Sequence, residues 1–344
     1  MTTTSTANQA SSSNCLRLLV IASLPLLFVA TAGGITGGWL NQESPPSDAE
    51  PSAEEAVSES RTFTGDSAKE LPVFLFAVDV DTQITEMLTV ANEDIACFDG
   101  ERTWILFDGS DVGLAGQKIS SFSAALPGRI LLTFSEALSL GSISRPVLPT
   151  DIVCFYPETL GRETSGTFEL HFVGANAGLN SSGEKIDALH QLDDGRIIIS
   201  TVSSWRVPQL SGHDEDLLAF TPRAFGQETS GTWELYLDGS DIDLDGQDVD
   251  AVTVNPDGHI YLSGHDDFNA VVGSVDSNDV LTFLPTALGD ESTGTYSPHL
   301  ALHGASLNLG DANIQGLSIA SGDARKAVLL TCPQSEHQAV SSIH

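Results

Sequence analysis

The chain has 344 residues, of which 47 are acidic and 14 are basic, giving a formal net charge of −33. A charge of this sign repels phosphate backbones and anionic membrane surfaces, which argues against nucleic-acid binding and favours metal cations or a basic partner. The four cysteines, Cys15, Cys97, Cys154 and Cys332, are too few for a disulfide scaffold, and we interpret Cys97 and Cys154 as small buried residues of strands.

The N-terminal segment has the pattern of an export signal. An apolar stretch runs from Leu18 to Ala30 and is followed by the small-x-small pattern Ala30-Thr31-Ala32, which predicts a signal peptide over residues 1–32. The alternative is an uncleaved membrane anchor, because residues 18–40 carry no charge and about 20 apolar residues span a bilayer. Either interpretation predicts that the rest of the chain is secreted or held at the cell surface.

Residues 33–70 differ in composition from the rest of the chain, because they are rich in proline, serine and glutamate. Such a segment buries too little apolar surface to offset its chain entropy. We therefore predict a disordered acidic linker that separates the export segment from a folded domain.

From about residue 71 the sequence repeats itself. Thr103-Trp104, Thr167-Phe168, Thr232-Trp233 and Thr295-Tyr296 have the same form, and their threonines are 64, 65 and 63 residues apart. A second anchor reads Asp, three mostly small or apolar residues and then Phe. It begins at Asp94, Asp151, Asp216 and Asp279. We expect these aspartates to accept hydrogen bonds from loop backbone groups.

A third anchor has the pattern of a β-hairpin. Residues 187–200 match residues 250–263, and each segment carries Asp-Gly where a tight turn needs positive φ. Pro127-Gly128 holds the corresponding place one repeat earlier. Each unit thus contains four short strands, and alternation along Trp233, Leu235 and Leu237 is typical of a strand with one buried face.

Four short strands at a fixed period resemble the blades of β-propeller proteins. The resemblance covers residues 71–331 and implies an all-β fold of about four four-stranded blades, with five as the alternative. Strand-like sequence continues to Thr331, so joining the two ends of the domain closes the fourth blade with one strand left over. We place the propeller at residues 71–333, with residues 334–344 as a tail or closing strand.

One loop concentrates carboxylates. Residues 238–250 contain six aspartates, and alternating carboxylates with a glycine let a loop wrap around Ca²⁺. The spacing resembles the calcium loops of integrin-type propellers and EF-hands, although Val252 stands where an EF-hand has Glu. The resemblance implies calcium as a cofactor. The candidate ligands are Asp241, Asp243, Asp245, Asp248 and Asp250. The alternative is a solvated acidic turn, because the other repeats lack most of these residues.

Two further segments combine histidine with carboxylates, at residues 211–216 around His213 and at residues 263–267 around His265. Such groups suit metal binding or acid–base chemistry. No phosphate loop, nucleophile elbow or zinc-protease motif is present in the sequence. We therefore expect a binding module for a protein or glycan ligand. The alternatives are an exported hydrolase or lyase built around His213 and His265, and a structural component of the cell envelope.

Overall fold

The computed structural model describes residues 72–125, 128–270 and 273–333. The signal segment, the linker, the C-terminal tail and the turn residue Pro127 lie outside the described residues, so the predictions made for them stay predictions.

Sixteen of the described strands, numbered in chain order, form four antiparallel sheets of four strands, which we call blades. Blade 1 contains β1 (Val73–Val78), β4 (Ile95–Phe98), β5 (Thr103–Phe107) and β22 (Ile314–Ala320). Blade 2 contains β6 (Ile119–Ala125), β7 (Arg129–Phe134), β8 (Ile152–Thr159) and β9 (Ser165–Phe172). Blade 3 contains β10 (Ile186–Gln191), β11 (Ile197–Thr201), β14 (Leu217–Ala224) and β15 (Ser230–Leu237). Blade 4 contains β16 (Val249–Val254), β17 (Ile260–Gly264), β20 (Leu281–Ala287) and β21 (Thr293–Tyr296).

Three small hairpins are inserted between the second and third strands of blades 1, 3 and 4. They pair β2 (Thr82–Thr85) with β3 (Leu88–Val90), β12 (Trp205–Val207) with β13 (Leu210–Gly212), and β18 (Phe268–Ala270) with β19 (Gly273–Val275). The described helices are α1 (Gly174–Ala177) and α2 (Gly322–Thr331). Short 3₁₀ turns lie at Ser110–Val112, Ser182–Glu184, Gly226–Glu228, Ser240–Ile242 and Gly304–Leu307.

The blades close into a ring. The inner strands β22, β6, β10 and β16 contact one another in that circular order. Blade 1 joins the two ends of the domain, because its inner strand β22 pairs with β1 along Val73 to Val78. The molecule is therefore a four-bladed β-propeller, which confirms the predicted fold and the preferred blade number.

The strand expected to be left over at the end of the domain is a helix instead. Residues 322–331 form α2, because alanine, lysine and leucine favour helix and Asp323 lies in the first turn, where a negative charge is stabilising. Val328 packs into the core between blades 1 and 2, and Trp104 Nε1 donates a hydrogen bond of 2.9 Å to Thr331 Oγ1. The prediction of strand up to Thr331 was wrong at this point.

The hydrophobic core is divided into four clusters, one between each pair of neighbouring blades. Strands inside a blade are buried on both faces, and alternate residues enter different clusters. In β1, Leu75 faces the cluster shared with blade 2 and Phe76 faces the cluster shared with blade 4. This explains the nearly continuous apolar sequence of β1. Cys97, Cys154 and Cys332 are free and buried, as expected for Cys97 and Cys154.

In each blade the repeated aspartate accepts hydrogen bonds from two loops, and we call this pair of bonds the clasp. In blade 3 the Oδ1 atom of Asp216 accepts the backbone N–H of Gly239 at 3.1 Å, and Oδ2 accepts that of His213 at 2.9 Å. The equivalent carboxylates make the same pair of bonds, which confirms the role predicted for them. These are Asp94, Asp151 and Asp279.

Candidate functional site

Each inner strand contains a β-bulge at the same register. The ladder between the inner strand and its neighbour skips one residue in every blade, and a bulge leaves that residue unpaired and re-aims its side chain. The skipped residues are Ser120, Asp187, Asp250 and Gln315. All four are buried. Because the inner strands form a ring, four polar side chains gather at one end of it, which we call the bulge end.

Hydrogen bonds link bulge residues across the blade boundaries. Ser120 Oγ donates to the carbonyl oxygen of Ile186 at 2.9 Å, and Gln315 Nε2 donates to Asp250 Oδ2 at 3.2 Å. The same Asp250 oxygen lies 2.8 Å from Nδ1 of His265. This hydrogen bond raises the pKa of His265 to about 9, so the imidazole is protonated at neutral pH and pairs with the Asp250 carboxylate.

Asp187 is the least satisfied side chain at the bulge end. It is 4% exposed, and neither carboxylate oxygen has a hydrogen-bond partner among the described residues. Burial raises its pKa well above the usual value, and the charges of Asp248 and Asp250 raise it further. Burial and the charge of Asp250 also raise the pKa of Asp248 to about 7, and its Oδ1 atom lacks a partner too. The bulge end therefore needs protons or a cation to balance its carboxylates.

Part of this cluster already has the spacing of a metal site. Asp248, Asp250 and His265 each offer a ligand atom, and these atoms lie within 4.8 Å of one another. Carboxylate oxygens suit hard divalent ions, and the His265 imidazole adds affinity for ions such as Mn²⁺ or Zn²⁺ when the ion displaces its proton. The arrangement can hold a divalent cation.

Comparison of the blades shows that this group belongs to blade 4 alone. The backbone N–H of His265 donates to the carbonyl oxygen of Asp248, and the same bond recurs in each blade. The equivalent pairs are Val202 with Lys185, Ser135 with Lys118, and Asp79 with Asn313. The position of Asp248 is thus lysine in two blades and asparagine in one. The repeat does not require an acid and an imidazole here, which distinguishes them from the four clasping aspartates.

The structure divides the five predicted calcium ligands between two places. Asp248 and Asp250 lie at the bulge end, whereas Asp241, Asp243 and Asp245 lie in the loop after β15. Among the described residues, the carboxylates of Asp241, Asp243 and Asp245 form no common group of ligand atoms with those of Asp248 and Asp250. Calcium binding by the loop stays a prediction, and the geometry groups the ligand atoms of Asp248 and Asp250 with His265 instead.

Two of the loop aspartates also serve the repeat. Asp241 Oδ2 accepts the backbone N–H of Ser292 at 2.8 Å, and Asp111 makes the equivalent bond to Thr164 at 2.8 Å. Asp243 has φ of 65°, a left-handed conformation that glycine, asparagine and aspartate tolerate best. The equivalent residues are Gly113, Gly178 and Asn308. The turn geometry therefore accounts for part of the aspartate spacing.

The structure does not join His213 and His265 into one cluster of ligand atoms in the described part of the chain. His213 is exposed beside the β12–β13 hairpin, and its Nδ1 lies 3.1 Å from Ser204 Oγ. The hydrolase or lyase expected around these two histidines stays a prediction without a shared site.

The opposite end of the inner strands opens into a pocket of about 620 Å³. We call it the axial pocket, because all four inner strands line it. Their lining side chains include Ser123, His190, Thr253 and Ser318. Along β10, Asp187 and His190 are three residues apart, so the pocket lies about 10 Å from the bulge end. The two sites are therefore opposite ends of one axis.

The interior of the axial pocket is polar but neutral. Burial lowers the pKa of His190 to about 4, so its imidazole is uncharged at neutral pH, and its Nδ1 lies 3.3 Å from Thr253 Oγ1. The charged lining residues sit at the mouth, where Arg196 bonds to Asp194 at 2.9 Å and to Glu234 at 2.6 Å. No described carboxylate lies in hydrogen-bond contact with His190.

Comparisons with known proteins leave the function open. No protein-family model and no curated protein matches the chain. A solved structure that resembles it belongs to a protein of unknown function from Bacteroides caccae, with 10% identity and a TM-score of 0.24. The match covers 65% of this chain and 57% of that one. The assignment as a β-propeller therefore rests on the sheets described above. In the described part of the chain, no helix has the length and apolarity needed to cross a bilayer.

Sequence reasoning missed Asp187 and Gln315 as members of a site. A signal was present, because Asp187 aligns with Asp250 in the repeated hairpin and lies among the apolar residues Ile186, Ala188 and Leu189. The two bulges that carry these residues, in β10 and β22, have no separate pattern in the sequence. The same is true of the contact between blades 1 and 4 that brings Gln315 to Asp250.

Proposed function

We propose that the protein is an exported binding module, secreted or held at the cell surface, that takes a neutral, hydroxyl-rich ligand such as a glycan end in its axial pocket. The observation that carries this proposal is the neutral polar lining contributed by all four blades. Hydroxyl, amide and imidazole groups both donate and accept hydrogen bonds, which suits sugar hydroxyls.

The size of the pocket supports a small ligand or the end of a larger one. Pockets for small molecules are commonly 300–1,000 Å³, and the axial pocket has about 620 Å³. Tyr236 lines its edge and offers an aromatic face. A ligand carrying several carboxylates or phosphates is disfavoured, because the whole chain has a net charge of −33.

Binding fits the pocket better than catalysis. Its partly buried imidazole, His190, is neutral and contacts a threonine hydroxyl rather than a carboxylate. The pKa of Asp194 at the mouth is lowered by hydrogen bonding from the backbone and side chain of Arg196, so this carboxylate does not act as a proton donor at neutral pH. Export is supported by the signal-like residues 1–32, and calcium dependence by the carboxylates of residues 238–250.

Isothermal titration of the full chain with neutral monosaccharides and disaccharides tests this function. The titrations are made in chelator, so that they do not depend on a metal. We expect saturable binding of at least one sugar, and Ala324→Trp weakens it at least about tenfold because Ala324 lines the pocket. Asp323→Trp is the matched control, since Asp323 is the exposed neighbour on α2 and does not line the pocket.

If Ala324→Trp unfolds the protein, Thr253→Val removes one lining hydroxyl with little change of volume and should also weaken binding. Absence of binding to every neutral sugar, or equal affinity in the lining and control variants, refutes the pocket as a glycan site. Saturable binding of an unglycosylated peptide in its place identifies a protein partner and overturns the glycan proposal.

A further inference from the structure

We propose that the bulge end of the propeller is a divalent-cation site built on Asp248, Asp250 and His265, beside which the buried carboxylate of Asp187 adds negative charge. His265 lies at its solvent-facing side, and Gln315 holds Asp250 in position. This site is separate from the axial pocket, and the proposal does not depend on the ligand bound there.

The first argument is the burial of Asp187. Its side chain is more than nine-tenths buried, and both of its oxygens lack hydrogen-bond partners in the described structure. An unpartnered buried carboxylate is costly unless it is protonated, paired or bound to a metal. The equivalent bulge residue of blade 2, Ser120, satisfies its hydroxyl with Ile186 and Thr133. A buried aspartate is therefore not a requirement of the bulge.

The second argument is convergence from two blades. Asp187 belongs to β10 of blade 3, whereas Asp248 and Asp250 flank the start of β16 in blade 4. Strands β10 and β16 pack against each other as neighbours in the ring of inner strands. Asp248 contributes a second buried oxygen without a partner among the described residues. Unpartnered carboxylate oxygens thus come from two neighbouring strands at the same end of the ring.

The third argument concerns the surrounding groups. Gln315 Nε2 donates to Asp250 Oδ2, which fixes the orientation of that carboxylate. The side chain of His265 is half-exposed and touches the same oxygen, so movement of one imidazole opens the cluster to solvent. A site of this kind has buried ligands, a positioning residue and an entry path, as metal sites require.

Thermal unfolding of the full chain tests the proposal. The protein is stripped with chelator and melted with Ca²⁺, Mn²⁺ or Zn²⁺ added singly at fixed ionic strength. We expect at least one ion to raise the midpoint by about 5–10 °C at a hundredfold excess over its Kd. Titration calorimetry should give one ion per chain. Preference for Mn²⁺ or Zn²⁺ identifies His265 as a ligand, and preference for Ca²⁺ identifies an oxygen-only site.

The double variant Asp187→Asn, Asp248→Asn should abolish the shift. The matched control is Asp243→Asn, Asp245→Asn, which removes the same charge from the loop after β15 and preserves a left-handed turn residue. This control should keep the shift. If the first variant does not fold, Asp248→Asn alone should reduce affinity at least about tenfold.

Two results overturn the proposal. One is the absence of a midpoint shift and of calorimetric binding with all three ions. The other is a shift that persists in the Asp187→Asn, Asp248→Asn variant and disappears in the loop variant, which places the ion in the loop instead. Sugar binding in chelator is unaffected by either result, so failure here is distinguishable from failure of the axial pocket.

Discussion

The two ends of the inner-strand ring are built from the same four strands but differ in chemistry. At the bulge end, the side chains of Asp187 and Asp250 are buried beside Asp248, and some of the carboxylate oxygens there lack partners among the described residues. At the axial pocket, neutral groups such as Thr253 and His190 satisfy each other. The difference shows that the repeat determines where side chains lie, while single departures from it determine the chemistry of each end.

The largest expected effect comes from disrupting the hydrogen bonds that the repeated aspartate of one blade accepts from its loops. Gly239→Ala places a Cβ against the carbonyl oxygen of Glu215, well inside contact distance, which the backbone cannot accommodate without moving. We expect a loss of about 3 kcal/mol or more in the free energy of unfolding. Urea denaturation measures it, and Gly141→Ala is the control because nothing lies within 4 Å of its added Cβ. Equal stability of the two variants would refute this account of the clasp.

The next effect is a dependence of stability on pH that arises at the axial pocket. The folded-state pKa of His190 is lowered to about 4 from an unfolded value of about 6.5, so the unfolded chain binds more protons between these values. Stability therefore falls as the pH falls from about 6.5 to 4, by up to about 3 kcal/mol below pH 4. His190→Gln should flatten this part of the stability profile, whereas His213→Gln, at an exposed site, should not. An unchanged slope in His190→Gln would contradict the prediction.

A residual slope is expected in His190→Gln. Burial, assisted by the charge of Arg129, also lowers the pKa of His171 to about 4, and that ring stacks on Phe225. The double variant with His171→Gln should remove most of what remains. This measurement tests whether acid sensitivity arises from partly buried neutral imidazoles.

A smaller effect of opposite sign is expected at the bulge end. In chelator at pH 8, Asp187→Asn removes a buried, unpartnered carboxylate and should raise the free energy of unfolding by about 1–2 kcal/mol. Asp193→Asn makes the same charge change at an exposed residue near the pocket mouth and should alter stability little. Destabilisation by Asp187→Asn in chelator would contradict this prediction, because it would mean that an interaction other than a hydrogen bond stabilises the Asp187 carboxylate.

The smallest effect is expected at the pocket mouth. Arg196→Gln removes ion pairs to Asp194 and Glu234, both of which are largely exposed partners, and exposed pairs contribute little in water. We expect a change of about 0.5 kcal/mol in unfolding experiments and reduced dependence on salt. A loss several times larger would show that these charges hold the blade together and do not only surround the pocket.

Much of the fold was predictable because the same pattern of strands occurs four times in the sequence. The Asp…Phe strands, the Thr-aromatic strands and the Asp-Gly hairpin of residues 187–200 lie where the anchors predicted them. Helix α2 was missed because Val328, Leu329 and Leu330 look equally suitable for a strand, and only packing against the finished blade decides between the two. The candidate site was half predicted, since Asp248 and Asp250 were named and Asp187 was not.

The amino-acid sequence by itself determined the period, the four strands of each unit and the clasping aspartates, because these depend on local patterns and short loops. Only the tertiary structure decided which polar residues meet. A bulge in each inner strand re-aims Ser120, Asp187, Asp250 and Gln315, and ring closure brings blades 3, 4 and 1 together around them. Contacts between strands far apart in sequence produce this convergence, and residue spacing along the chain carries no record of it.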